Sequence, residues 1–195
     1  MKNIIKKFIL CWTILFILTS CNDIQEDNNG TSKNQETPAQ ESIIISENDF
    51  ELNIFSDAKV YADTDIIKIW ATFEYTGNEN AVTIWHGDPY IMFSVTDGKD
   101  FNTDGAAFDI LDKTILEKGV IYHYDYFKSG GYGANDSDAD FWRNFYSEKD
   151  LLLPAGEYII TVSAGFSTDR DNIIGSRIIL KSELTIEVTG DNIKD

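Results

Sequence analysis

Oxygen-bearing side chains crowd one short stretch of the chain, Asn135-Asp136-Ser137-Asp138-Ala139-Asp140. Carboxylates at alternate positions can wrap a Ca2+ ion, which takes about six to eight oxygen ligands. Asp136, Asp138 and Asp140 are therefore candidate metal ligands. The helix–loop–helix calcium pattern does not fit, because the sixth residue from Asp136 is Phe141 rather than Gly and the twelfth is Ser147 rather than Glu. Helix capping is the competing use of the same residues. Asp138 can cap a helix over 139–146, with acidic groups at its positive end. Just upstream, Gly130-Gly131-Tyr132-Gly133 lacks the strand–turn–helix setting and the following Lys of a phosphate loop. It reads as a surface loop that offers Tyr132 to a ligand. The two imidazoles are His86, beside Gly87-Asp88-Pro89, and His123, between Tyr122 and Tyr124. No G-x-S-x-G elbow accompanies them, and hydrogen bonding is the expected role of each. No catalytic residue is assigned.

Cys21 carries a different chemistry. Lys2, Lys6 and Lys7 precede an apolar run of eleven residues, 8–18. A membrane-spanning helix needs about 20 apolar residues, so the run fits the core of a secretion signal. It ends in Leu18-Thr19-Ser20-Cys21, then polar Asn22 and Asp23. That tetrapeptide resembles the lipobox of bacterial lipoproteins. The resemblance implies cleavage before Cys21 and a thioether from its sulfur to a diacylglycerol. It places the chain on the extracytoplasmic face of the cell membrane, with the lipid bilayer as its first partner. Two or three acyl chains make such an anchor stable, where one is marginal.

Removal of residues 1–20 leaves 13 basic residues against 33 acidic ones, a charge of −20. Such a balance excludes nucleic acid as a partner, since phosphates require a basic footprint. Cys11 leaves with the signal and Cys21 is consumed by lipid, so no disulfide and no common zinc set is available. Residues 21–42 are polar and lack aromatics, and read as an acidic flexible linker. The remainder, 43–195, is long enough to bury its own core as a single domain.

Within that domain the hydrophobic period is two. Ile67, Ile69, Ala71, Phe73 and Tyr75 alternate with Lys68, Trp70, Thr72 and Glu74. Further strands are expected at 50–55, 81–86, 90–96, 120–127, 157–166 and 178–188. Gly87-Asp88-Pro89 is expected to separate two of them, and Asp97-Gly98 to close a hairpin. Tyr122, Tyr124 and Tyr126 share one face of their strand, and the polar His123 and Asp125 opposite favour the Tyr face as core. One short helix, 138–146, puts Phe141, Trp142 and Phe145 on a common face. Many short antiparallel strands with turns between them indicate an all-β sandwich. Leu153-Pro154-Ala155-Gly156-Glu157-Tyr158 resembles the corner of immunoglobulin-like and fibronectin-type-III-like domains. That resemblance implies a Tyr158 hydroxyl bonded back to the backbone. Segments 99–119 and 128–151 exceed a minimal sandwich and read as long insertions.

These features together point to a non-catalytic binding module whose partner is an envelope protein or polymer. No cofactor is required, although Ca2+ would serve a calcium-dependent version of the module. A further alternative is a proteinase inhibitor. The region 61–95 and the corner at 153–158 are loosely similar to the intracellular proteinase inhibitor family of Gram-positive bacteria.

Overall fold

The computed structural model describes residues 45–47 and 49–190, all within the unit Glu36–Asp195. The signal segment, Cys21 and the linker lie outside the described residues.

Alternating apolar residues bury one face of each central strand, and this decides the architecture. In β2 (Phe50–Ser56) and β4 (Ile69–Tyr75) every second side chain is buried. The two strands pair antiparallel from Phe50↔Tyr75 to Ser56↔Ile69. β1 (Ile45–Glu47) and β8 (Ile121–Asp125) flank them, giving the order β1-β2-β4-β8. A second sheet runs β3-β10-β9-β5-β6, from β3 (Val60–Ala62), β10 (Arg177–Thr189), β9 (Gly156–Ser167), β5 (Ala81–Thr96) and β6 (Asn102–Thr103). β7 (Phe108–Glu117) pairs with β5 beyond that path. The fold is therefore all-β, with two sheets around a shared core and one short helix.

Rings from both sheets meet in that core. Phe50 stacks on Phe73 at 5.7 Å, and Phe166 of the other sheet lies edge-on to them at 4.7 and 5.6 Å. The Tyr face of β8 does turn inward. Tyr122, Tyr124 and Tyr126 pack on the core, while Ile121, His123 and Asp125 face solvent. The Tyr90 and Tyr124 hydroxyls share a hydrogen bond. Burial, which disfavours the phenolate, raises the pKa of both.

Three sequence expectations need correction. The two strands expected at 81–86 and 90–96 are one strand, β5. Pairing with β9 passes from His86↔Phe166 to Ile91↔Ala164. β5 thus takes five steps where β9 takes two, and the excess bulges out around Gly87-Asp88-Pro89. Proline has no N–H to give the ladder, and the bulge is where none is needed. The second concerns 99–119, expected as a long insertion, which holds β6 and the ten-residue β7 and so extends the sheet. β7 is an edge strand whose side chains, Leu116 and half-buried Thr114 aside, are exposed, so it shows no alternation. The third is β3, which pairs parallel with β10 and makes the second sheet mixed. The crossing that delivers it is pinned by Tyr61. Its hydroxyl donates to Asp57 Oδ1 at 2.6 Å and accepts from the Ala58 amide at 3.0 Å.

The corner behaves as its resemblance implies, with the Tyr158 hydroxyl donating to the Pro154 carbonyl at 3.0 Å. The expected hairpin also forms. β5 and β6 pair through Val95↔Thr103, and Gly98 adopts a φ of 71°. The helix, α1 (Ala139–Ser147), is within one residue of its expected limits at each end. Its aromatic face meets Phe101, whose ring lies 6.2, 5.3 and 5.5 Å from Phe141, Trp142 and Phe145.

Candidate binding groove

Segment 128–151 holds one short helix, packed on Phe101, and the Lys128 side chain ties its end. The Lys128 ammonium donates to the carbonyls of Phe145, Glu148 and Asp150, each at 2.7 Å. It also sits 4.2 Å from the centre of the Phe145 ring. These carbonyls lie at and beyond the end of α1, where helical partners run out and a cation is favoured. Burial pushes the Lys128 pKa down, opposed by the Glu148 and Asp150 carboxylates. The segment then rejoins the sheets through the Ile67 amide, which donates to the Leu151 carbonyl at 3.0 Å.

Fastened this way, the segment forms one wall of an open groove of about 590 Å3. The other wall is the solvent face of the β4–β8 pair. Trp70, His123, Asp125 and Phe127 line it there, facing Tyr146 and Lys149. Trp70 and His123 belong to a row of near-parallel rings. Phe55 and Trp70 lie 5.6 Å apart at 13°, and Trp70 and His123 lie 6.4 Å apart at 23°. His123 Nε2 donates to Asp125 Oδ1 at 3.0 Å. The two side chains are 54% and 88% exposed, so solvent screens this pair and it adds little stability.

Tyr132 is partly exposed and stacks on Tyr146, which lines the groove. Tyr132 itself is not among the groove's lining residues. Asp136, Asp138 and Asp140 each take a different partner. Asp136 accepts from the Gly133 amide at 2.8 Å, Asp138 from Trp142 Nε1 at 2.6 Å, and Asp140 from Arg143 at 2.5 Å. Among the described residues, no three His, Cys, Asp or Glu side chains converge as a metal set. Asp138 does occupy the position before α1, but its carboxylate makes no capping bond. The capping expectation is corrected on that point, because the carboxylate reaches forward to the indole instead.

His86 is buried and fully engaged. Its Nδ1 bonds the Gly87 carbonyl at 2.7 Å, and its Nε2 bonds Thr114 Oγ1 at 2.9 Å. A carbonyl only accepts, so the Nδ1–H donates to it. Both nitrogens are thus occupied within the fold. Sequence reasoning missed Lys128 and the groove. The one available signal was the outward phase of Trp70, His123 and Asp125 on neighbouring strands.

No protein-family model matches the chain, and no curated protein matches it either. Among solved structures, the chain is similar to Spo0M, the sporulation control protein of Bacillus subtilis. The likeness has 12% sequence identity and a TM-score of 0.34, over 71% of this chain and 49% of that one. The chain thus spans about half the length of that structure. Among the described residues no helix is long and apolar enough to cross a membrane.

Proposed function

We propose that the chain is a lipid-anchored, extracytoplasmic binding module without catalytic activity. Cys21 holds it to the membrane, the acidic linker 22–42 sets it off the surface, and an immunoglobulin-like sandwich presents the groove. The ligand is an envelope protein or polymer. The observation that carries this reading is the groove itself. It is open, Trp70, Tyr126, Phe127 and Tyr146 line it, and segment 128–151 builds one wall. Binding sites of this kind combine apolar ring surface with a few placed polar groups. The Tyr158–Pro154 hydrogen bond supports the immunoglobulin-like assignment.

Two experiments test the two halves of the proposal. Mass spectrometry of the membrane-extracted chain is expected to find residue 21 as the first residue, carrying diacylglycerol. Cys21→Ser should move the chain out of the membrane fraction, and an unchanged distribution would refute the anchor. Crosslinking of the full-length chain in envelope preparations should capture a partner that Trp70→Ala loses. Capture independent of Trp70 would remove the groove from the reading.

A second reading, a proteinase inhibitor, draws on the turn between β9 and β10. Ile174 is 91% exposed there. The turn is held by Asn172, whose side chain accepts from the Gly175 amide at 3.2 Å and whose carbonyl accepts from Ser176 Oγ at 2.8 Å. A pre-ordered loop offering an aliphatic side chain loses little entropy on docking. Inhibition of a serine-protease panel, abolished by Ile174→Asp, would support it; absence of inhibition at micromolar chain would dismiss it.

A further inference from the structure

On the outer face of the second sheet the side chains follow a self-complementary order. β10 turns Arg177, Ile179, Lys181, Glu183, Thr185 and Glu187 outward, each between residues that face the core. Two cations occupy one half of that row and two carboxylates the other. Among the described residues neither Arg177 nor Lys181 forms an ion pair with a carboxylate. Asp169 and Asp171 belong to the β9–β10 turn, off the strand, and Lys59 stands with Glu157 and Glu187 at the far end. The charges on β10 itself therefore divide around Ser182.

β9 adds a matching shape. Ser182 is in register with Val162, so the two strands share that midpoint. Ile159, 41% exposed, and Gly165 lie three residues to either side of it on the same outer face. A Cβ on Gly165 would meet nothing within 4 Å, so the glycine leaves a notch. Glycine inside a strand often marks a close approach by another group. A second copy can be turned end for end over this face, about a twofold axis crossing the strands at Ser182. Arg177 then meets the partner's Glu187, Lys181 the partner's Glu183, and Ile159 the notch at the partner's Gly165. Each contact occurs twice, as an isologous interface requires. Sheets packed face to face keep their strands within about 30° of one another, which preserves these pairs. The face measures roughly 33 Å along β10 and roughly 19 Å across four strands. Two copies would bury roughly 1,200 Å2 in all, above the roughly 1,000 Å2 that a specific interface needs.

We infer that this face is the interface of a twofold homodimer of the chain. The groove lies on the first sheet, so dimerisation leaves it open in both copies. A ligand with repeated units would then meet two grooves at once. The inference does not depend on what the groove binds.

The test is sedimentation of the full-length chain in density-matched detergent, with micelles in excess over chains. A dimer is expected at about 10 μM chain, since interfaces of standard size dissociate at micromolar concentrations or below. Arg177→Glu sets like charges together and should raise the Kd about tenfold or more, as should Glu187→Arg. Combining the two restores opposite charges across the axis and should restore the dimer. Gly165→Val fills the notch where the fold has room, so it should raise the Kd while far-ultraviolet dichroism stays unchanged. Trp70→Ala, on the other sheet, should leave the dimer intact. Four results would overturn the inference. They are a monomer at about 100 μM, a dimer indifferent to both Arg177→Glu and Gly165→Val, a double exchange as weak as the single ones, and loss of the dimer on Trp70→Ala.

Discussion

Two aromatic clusters among the described residues are held by different means. Phe50, Phe73 and Phe166 lie between the sheets, each on a strand with a bonded neighbour on both sides. Phe101, Phe141, Trp142 and Phe145 lie under the helix, brought together from the β5–β6 turn and from α1. The first cluster is fixed by backbone ladders that any apolar side chains of suitable size would permit. The second depends on the Lys128 ammonium and the return of the chain at Leu151. The comparison teaches that the groove's two walls differ in kind. The sheet wall is held by backbone ladders, whereas the helix wall is held by the Lys128 hydrogen bonds, the Leu151 return and ring contacts through Phe101. Regions with few ladder bonds are the ones that open locally.

The largest effect should come from the first cluster. Phe73 is fully buried against Phe50, Tyr90 and Phe166. Phe73→Ala should cost about 3–5 kcal/mol, read by denaturant unfolding. Every probe should shift together, tryptophan emission and far-ultraviolet dichroism alike. Separate transitions would show that the helix wall unfolds independently even in the parent chain.

Lys128→Met addresses the second cluster and keeps most of the side-chain volume. It leaves three carbonyls without their donor. The expected cost is about 2 kcal/mol. Hydrogen exchange should place the loss in α1 and residues 148–151, with the β9–β10 amides protected as before. Equal loss in both places would erase the distinction between the clusters.

The same distinction explains what the sequence revealed. β2, β4, β9 and β10 are half-buried strands, so their burial prints a period of two on the residues. Tyr158 was legible because its corner carries a local motif. β7 was not, since Ile110, Leu111 and Ile115 sit on an exposed edge where burial imposes no pattern. The continuity of β5 was hidden by Pro89, which reads as a break unless the partner strand is known. Lys128 was illegible for a related reason. Its three acceptors lie 17, 20 and 22 residues away and are backbone atoms, which leave no mark on side-chain type. The outward phase of Trp70, His123 and Asp125 could be read from alternation, but the groove needed the helix wall to be placed.

Alkaline titration sharpens the contrast further. Burial, with Asp57 beside it, pushes the Tyr61 pKa up to about 12. Burial also raises Tyr126. In the unfolded chain these phenols ionise near pH ~10, while in the folded chain they stay neutral. Between those points the folded state holds more protons, so stability falls as pH rises from about 10 towards 12. Lys128 acts with the opposite sign. Its pKa is depressed below the ordinary 10.5, so the unfolded chain holds its proton longer and stability gains as pH climbs towards that value. Tyr61→Phe should therefore flatten the alkaline loss, and Lys128→Met should steepen it. Unfolding midpoints from pH 8 to 12 for the three chains provide the check, and parallel curves would contradict both assignments.

The smallest effect is expected at the acidic stretch 136–140. Asp138 accepts one exposed bond from Trp142 Nε1. Asp138→Ala should cost about 0.5 kcal/mol, because water replaces much of an exposed bond. Asp138→Asn keeps an acceptor and should cost less. Since Asp136, Asp138 and Asp140 are turned to three different partners, millimolar Ca2+ should leave the melting temperature unchanged. A rise with Ca2+ that Asp138→Ala abolishes would mean the three carboxylates abandon the Gly133 amide, the indole and Arg143 for the ion. The helix wall would then have a second fastening besides Lys128, and the two clusters would differ less than their hydrogen bonds indicate.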